Sequence, residues 1–449
     1  MNMKVMIATI IAAIAACWPT TTLAQTNSGS IEFHPKGDGT ARFVVHGKAG
    51  ELYQIQESTS EGTLTLGLWR VLNQQPITAT SDTFDVTLPI TSGANQAFYR
   101  FLQLTPELIV SLAPNSPVSR FVTGGSTGVV SVVFKLTSLY ESICLQKLGI
   151  TLSSTATNVQ QDIVRVTVGS WSSSSLLGEA YFMNGQTSAV IFLSPPITLP
   201  ANSATEIIVR TDFAPISPCS SGRSGDIIAI VSDASQTQGV LLNSGKQITA
   251  VGCAKGQNMI LAKSYPAIMW EPISPNHLIS YTPNTLLKFS ISADPSGDIG
   301  IGKLSFRLAG SDVGNVSVAI RSSTDGRLLA PAQVVSPSSE TNGVAEFYPQ
   351  VDGVRRILEI AAGTTRYFQV DGLLGNVSPS SVLVTTMLTE EAGWSGKTFD
   401  QLSPAPLGFF IWTPNSGILD TDYPDADWFN GFRIPGLWPD GISQTRTGQ

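Results

Sequence analysis

Gly124-Gly125-Ser126-Thr127-Gly128 has the G-x-S-x-G spacing of a hydrolase nucleophile. That chemistry needs a sharp strand-to-helix elbow that exposes the serine, and a histidine base. Residues 129–136 alternate as a strand instead, and the next histidine, His277, falls in a later unit, so the segment reads as a Gly/Ser turn. The run from Gly297 to Leu304 has P-loop spacing, but Leu304 stands where Ser or Thr must hold magnesium, and Lys303 sits in a strand pattern. Asp420, Asp422, Asp425 and Asp427 could offer carboxylate oxygens to calcium, yet the turn glycine and closing glutamate of the twelve-residue calcium loop are missing. Trp394, Trp412, Trp428, Phe429, Phe432 and Trp438 crowd the C-terminal stretch. As exposed rings, Trp412, Trp428 and Trp438 would stack on sugars; as buried rings, they would form a core, where large aromatics usually lie. No convergent acid–base set is evident, so the chain is not expected to be an enzyme or to carry a cofactor, calcium aside.

Composition narrows the classes further. Only 13% of the 449 residues are charged, against 42% hydrophobic, and the formal net charge is −7. Phosphate contact needs a basic face, so nucleic acid is excluded as a partner. The apolar content argues against long disorder.

The N-terminus reads as an export signal. Lys4 precedes an apolar run over residues 5–16, Pro19 breaks it, and Thr22-Leu23-Ala24 supplies small residues for cleavage after Ala24. The run is too short to span a bilayer as a helix. Ile14-Ala15-Ala16-Cys17 also fits a lipoprotein box, which would lipidate Cys17; membrane attachment is expected only in that case. Export exposes Cys144, Cys219 and Cys253 to oxidant. Cys144 lies in an alternating strand, whereas Cys219 and Cys253 lie in loops flanking two strands, so a Cys219–Cys253 disulfide is expected.

Beyond the signal the pattern is short and alternating, as in residues 41–45, 130–136 and 286–291, with turn residues every 8–12 positions. Period-two alternation puts one face in a core and one in water. No amphipathic helices separate the strands, so the expected fold is all-β, a string of antiparallel β-sandwiches. The first unit spans 28–104, with Tyr53, Ile55, Trp69, Val71, Phe84, Val86 and Phe98 as its inward residues. Residues 143–152 align with 299–308, the strands before them correspond, and residues 199–205 match 360–366. Two related units at 105–264 and 265–393 follow, with Lys147 and Lys303 on equivalent strands. Residues 394–449 form an aromatic-rich tail expected to pack on the last sandwich.

Several of these segments carry a resemblance. Gly50-Glu51-Leu52-Tyr53-Gln54-Ile55-Gln56-Glu57-Ser58-Thr59, the Trp69 strand and Phe98-Tyr99-Arg100 resemble a fibronectin-III-like module of bacterial secreted proteins. The pair of later units resembles Ig-like modules of surface proteins from candidate-phyla bacteria. The ending, residues 410–416, 427–432 and 435–437, is similar to the ending of such proteins. The resemblance implies a secreted or cell-surface multidomain protein and carries no biochemical activity. The expected role is structural or adhesive, toward a surface protein or a glycan; the alternative is a carbohydrate-binding protein.

Overall fold

The computed structural model describes residues 30–448 apart from 37, 59–68, 74, 91–97, 155–158, 171–174, 338–342, 394, 398, 405–406 and 416–427. The export signal, Cys17, Trp394 and the Asp420–Asp427 group lie outside the described residues. The chain is all-β, a string of antiparallel sandwiches. Among the described residues no helix is long and apolar enough to cross a membrane.

In the first unit, Ser30–Pro35, Thr40–His46 and Thr83–Pro89 form one sheet, and Leu52–Ser58 pairs with Phe98–Leu104, Arg70–Val71 and Ile77–Thr78 in the other. Phe43, Tyr53, Ile55 and Phe84 fill the space between, as the alternation predicts. Val71 does not: it is exposed, and Leu72 is buried in its place. A one-residue slip in a strand exchanges its two faces. Here Leu72 donates its N–H to the Ile55 carbonyl, and that bond fixes the register. Trp69 is half-buried under the Arg100 guanidinium, 4.1 Å from its ring centre. The Phe98 side chain lies outside the described residues.

The next two sandwiches share one topology. In the second, the sheet order is Leu176–Ala180, Ile163–Ser170, Ser203–Phe213, Val129–Leu139, Glu107–Leu112. In the third it is Gln333–Val335, Val316–Ser322, Thr365–Leu374, Pro283–Ala293, Pro266–Glu271. The opposing sheets match as well. Ile143–Ser154, Ile227–Leu241, Met259–Ala262 and Arg120–Thr123 lie side by side, as do Ile299–Ser311, Val382–Met387, Ile442–Gly448 and His277–Leu278. In both sheets the last pair is parallel. Lys147 and Lys303 fall on equivalent strands, each just after a register shift, from Leu145 in one and from Ile301 in the other.

This architecture corrects the reading of residues 394–449 as a tail laid over a finished sandwich. Ile442–Gly448 is an internal strand, hydrogen-bonded along Val382–Met387 on one side and His277–Leu278 on the other. Phe410–Thr413 pairs directly with Ile299–Ser311, and Trp428–Asn430 pairs with Phe410–Thr413. The third sandwich is therefore completed by strands that follow a long excursion after Met387. The second sandwich covers the same ground with a single fifteen-residue strand, Ile227–Leu241, and its partner Gln247–Thr249.

The cores of these two sandwiches touch. Phe121, Ile260 and Ala262 of the second belong to the same apolar cluster as Ile268, Ile291, Phe306 and Trp412 of the third.

Candidate functional site

The C-terminal aromatics were the sequence's main candidates for ligand contact, and the structure places them differently. Trp412 and Trp428 are fully buried. Trp412 stacks on Phe429 at 4.8 Å and meets Phe121 edge-on at 5.3 Å; its indole N–H donates to the Asn430 carbonyl at 3.1 Å. Phe121 also contacts Phe429 at 5.7 Å and Tyr265 at 5.9 Å. These rings form the joint between the second and third sandwiches. Trp428 lies on the outer side of the sheet, edge-on to Phe399 at 4.9 Å. Its ring and that of Phe399 rest on Gly302, where any side chain would collide with both. Burial removes both tryptophans as stacking platforms. The cause is the strand pairing of Phe410–Thr413 and Trp428–Asn430 into the sheet, which turns their side chains into its two packed faces. Trp438 is half-buried, with the Arg433 guanidinium 3.6 Å from its ring centre and Phe432 at 6.0 Å.

Under the Phe399 and Trp428 layer sits a charged group. Lys303 is fully buried, its ammonium 2.8 Å from Glu346 Oε1 and donating to the Ser403 carbonyl. Glu346 is 30% exposed and also accepts from the Tyr348 hydroxyl at 3.2 Å. The Arg355 guanidinium lies 4.1 Å from the Tyr348 ring centre and 4.0 Å from that of Phe399. Nearby, Glu390 is buried and takes the N–H groups of Phe409 and Phe410 on one oxygen, the second at 3.0 Å. Burial pushes its pKa up to about 7, against the backbone donors and the Lys303 charge, which favour the ionised form. This group ties the excursion between Met387 and Phe410 to the sheet. Lys303 is thus a strand residue with a structural ion pair, not a phosphate ligand.

A second charged place was invisible in the sequence because its parts lie far apart in the chain. Asp162 ends a single 3-10 turn, Val159–Asp162, and is fully buried. Its Oδ1 accepts the Arg223 N–H at 2.8 Å, and its carboxyl faces that of Asp226. Burial, and then the neighbouring Asp226, hold Asp162 well above the usual carboxylate range.

The remaining candidates resolve simply. Ser126 donates its hydroxyl to the Thr123 carbonyl at 2.6 Å, within a turn that leads into the strand Val129–Leu139. Cys144, Cys219 and Cys253 are free. The expected Cys219–Cys253 bridge is not formed, because the segment after Val251 runs back beside the middle of Ile227–Leu241. Ala254 bonds Ser232 there, while Cys219 precedes the start of that strand. The strand from Asp226 to Ser232 covers roughly 20 Å, whereas a disulfide needs Cα atoms within about 7 Å. Among the described residues no three His, Cys, Asp or Glu side chains gather as a metal-binding group.

No family model and no curated protein matches this chain. Solved structures with some likeness include the Escherichia coli alpha-2-macroglobulin activated by porcine elastase, at 11% identity and a TM-score of 0.17, covering 80% of this chain and 31% of that one. The chain thus spans less than a third of that protein. A serine-rich repeat adhesion glycoprotein, Srr1, from Streptococcus agalactiae has 11% identity and a TM-score of 0.15, covering 63% of this chain and 91% of its own. A fucolectin from striped bass serum has 12% identity and a TM-score of 0.13, covering 56% and 85%. Scores this low carry no assignment of activity.

Proposed function

We propose that the chain is an exported structural or adhesive protein that spaces and presents its β-sandwich surfaces without catalysis. The observation that carries this reading is the joint. Phe121 of the second sandwich is seated among Tyr265, Trp412 and Phe429 of the third, and the two cores run together. An aromatic-filled joint resists the hinge motion that is the default between linked domains, and a stiff tandem suits a spacer. The most aromatic part of the molecule is spent on this joint and on the layer over Lys303, not on a cleft. The carbohydrate-binding alternative loses Trp412 and Trp428 as platforms and keeps Trp438, one face of which is taken by Arg433.

The test uses the whole chain in two screens. One measures turnover of glycoside, ester and peptide substrates; the other measures retention on arrays of glycans and of cell-surface proteins. Retention without turnover supports the proposal. Turnover that disappears on a single side-chain replacement, with the fold intact, sinks it. Glycan retention abolished by Trp438→Ala would establish the carbohydrate reading instead.

A further inference from the structure

The meeting of Asp162 with the loop of residues 223–226 is chemically unfinished. Asp162 Oδ2, Asp226 Oδ2 and Ser224 Oγ are all buried; the two carboxyls can bond only each other, through a proton that one of them must hold, and the Ser224 hydroxyl has no partner. Buried polar atoms in native proteins are nearly always satisfied, so two enclosed carboxyls left to each other, with an unpartnered Ser224 hydroxyl in the same loop, call for an explanation. The loop itself is firmly held. Asp162 Oδ1 takes the Arg223 N–H, Gly225 donates to the Leu261 carbonyl, and Leu261 donates to the Asp226 carbonyl.

The third sandwich shows what the fold requires here. Ser381 is the counterpart of Asp226: each residue directly precedes the equivalent strand, and each takes the N–H of the neighbouring strand on its carbonyl, from Gly448 at 2.7 Å and from Leu261 at 2.8 Å. Ser381 is fully buried, and its hydroxyl donates to the Asp312 carbonyl at 2.8 Å and accepts from the Ser378 N–H at 2.9 Å. A neutral, satisfied serine therefore closes this junction. The second sandwich instead carries two carboxyls and an idle hydroxyl.

We propose that Asp162, Asp226 and Ser224 hold a hard divalent cation, calcium by preference, at this end of the second sandwich. All three donors are oxygens, the donor class calcium takes. Two facing carboxylates would be neutralised by one such ion. The donor atoms are enclosed, although Asp226 and Ser224 are half-buried as residues, so the remaining positions would be filled by water carried in with the ion. Magnesium gives up its water reluctantly and suits an enclosed carboxylate such as Asp162 less well. Few protein ligands place the affinity in the range of extracellular modules, about 10⁻⁴–10⁻³ M.

Calorimetry of the full chain tests this, with EDTA, CaCl2 or MgCl2 as the probe. At calcium about tenfold above its dissociation constant, the joint transition of the second and third sandwiches should rise by about 2 °C, and magnesium should do less. Asp226→Asn can still hydrogen-bond Asp162, so it should fold and lose the calcium response. Ser224→Ala should weaken calcium binding about threefold or more and decides the matter if Asp226→Asn fails to fold. No shift in the unmodified chain overturns the proposal. So does an undiminished shift in the variants, which would put the ion elsewhere, for instance at Asp420–Asp427.

Discussion

Lys303 and Glu346 form an ion pair whose two ends stand in different surroundings, and the difference makes a sharp prediction. Lys303 is fully enclosed, whereas Glu346 is 30% exposed. Glu346→Gln leaves the ammonium in place, stripped of water, with only neutral acceptors close by, the Ser403 carbonyl and the new amide oxygen. Orphaning a buried charge in this way costs about 3–5 kcal/mol. Lys303→Met removes the charge together with its desolvation penalty and keeps most of the volume. Glu346 then hydrates through its open side, and the Ser403 carbonyl retains the Tyr348 hydroxyl at 3.5 Å. The cost should be about 1–2 kcal/mol, made up of imperfect packing and one lost hydrogen bond. The acid end is therefore the more sensitive one, by roughly 2–3 kcal/mol, and the double variant should lie within about 1 kcal/mol of Lys303→Met. Urea unfolding followed by tryptophan fluorescence suits this, since Trp428 lies in the layer above the pair. The comparison holds where the denaturant slope is unchanged. If Lys303→Met proves as costly as Glu346→Gln, the burial asymmetry is not what governs this pair.

Glu390 has a folded pKa raised to about 7, so the native state holds its proton more tightly than the unfolded chain does. Its contribution is complete below pH ~4.5 and is lost as pH rises to about 7, up to about 3 kcal/mol in all; Glu390→Gln should flatten that slope in a pH series of unfolding curves. Phe121→Ala should cost about 3–5 kcal/mol and split the joint unfolding of the second and third sandwiches into two calorimetric transitions; one unsplit, unshifted transition would refute the shared core. Iodoacetamide applied without reductant should label Cys219 and Cys253, both exposed, faster than the half-buried Cys144. A linked Cys219–Cys253 peptide in a non-reducing digest would contradict the geometry.

The fold was legible where physics acts locally. Alternation marked Thr40–His46 as a strand because its side chains face core and the outer side in turn. The shared strand order of the two later sandwiches was foreshadowed in the residues around Lys147 and Lys303, which fall on equivalent strands. Legibility failed where the partner lies far along the chain. The long excursion after Met387 hides the fact that Ile442–Gly448 completes the sheet, so its strands resembled an appendage. Trp412 and Trp428 could not be sorted from exposed aromatics, because burial is decided by strand pairing, not by residue type. Asp162 and Asp226 each look like an ordinary loop acid, and only folding brings them face to face. The cysteines misled because both sit in loops next to strands, and the length of Ile227–Leu241 was not apparent.

The internal position of Ile442–Gly448 also sets a timetable for synthesis. Val382–Met387 leaves the ribosome well before its partner and must wait for residues 388–441 to be made. At 5–20 residues per second that interval is roughly 3–11 s. Throughout it, one long edge of Val382–Met387 has no ladder partner, and an open strand edge is a template for foreign pairing. The nascent chain is thus most vulnerable to sticking to its neighbours while residues 388–441 are being made, and a chaperone that covers strand edges would act in that interval with most effect.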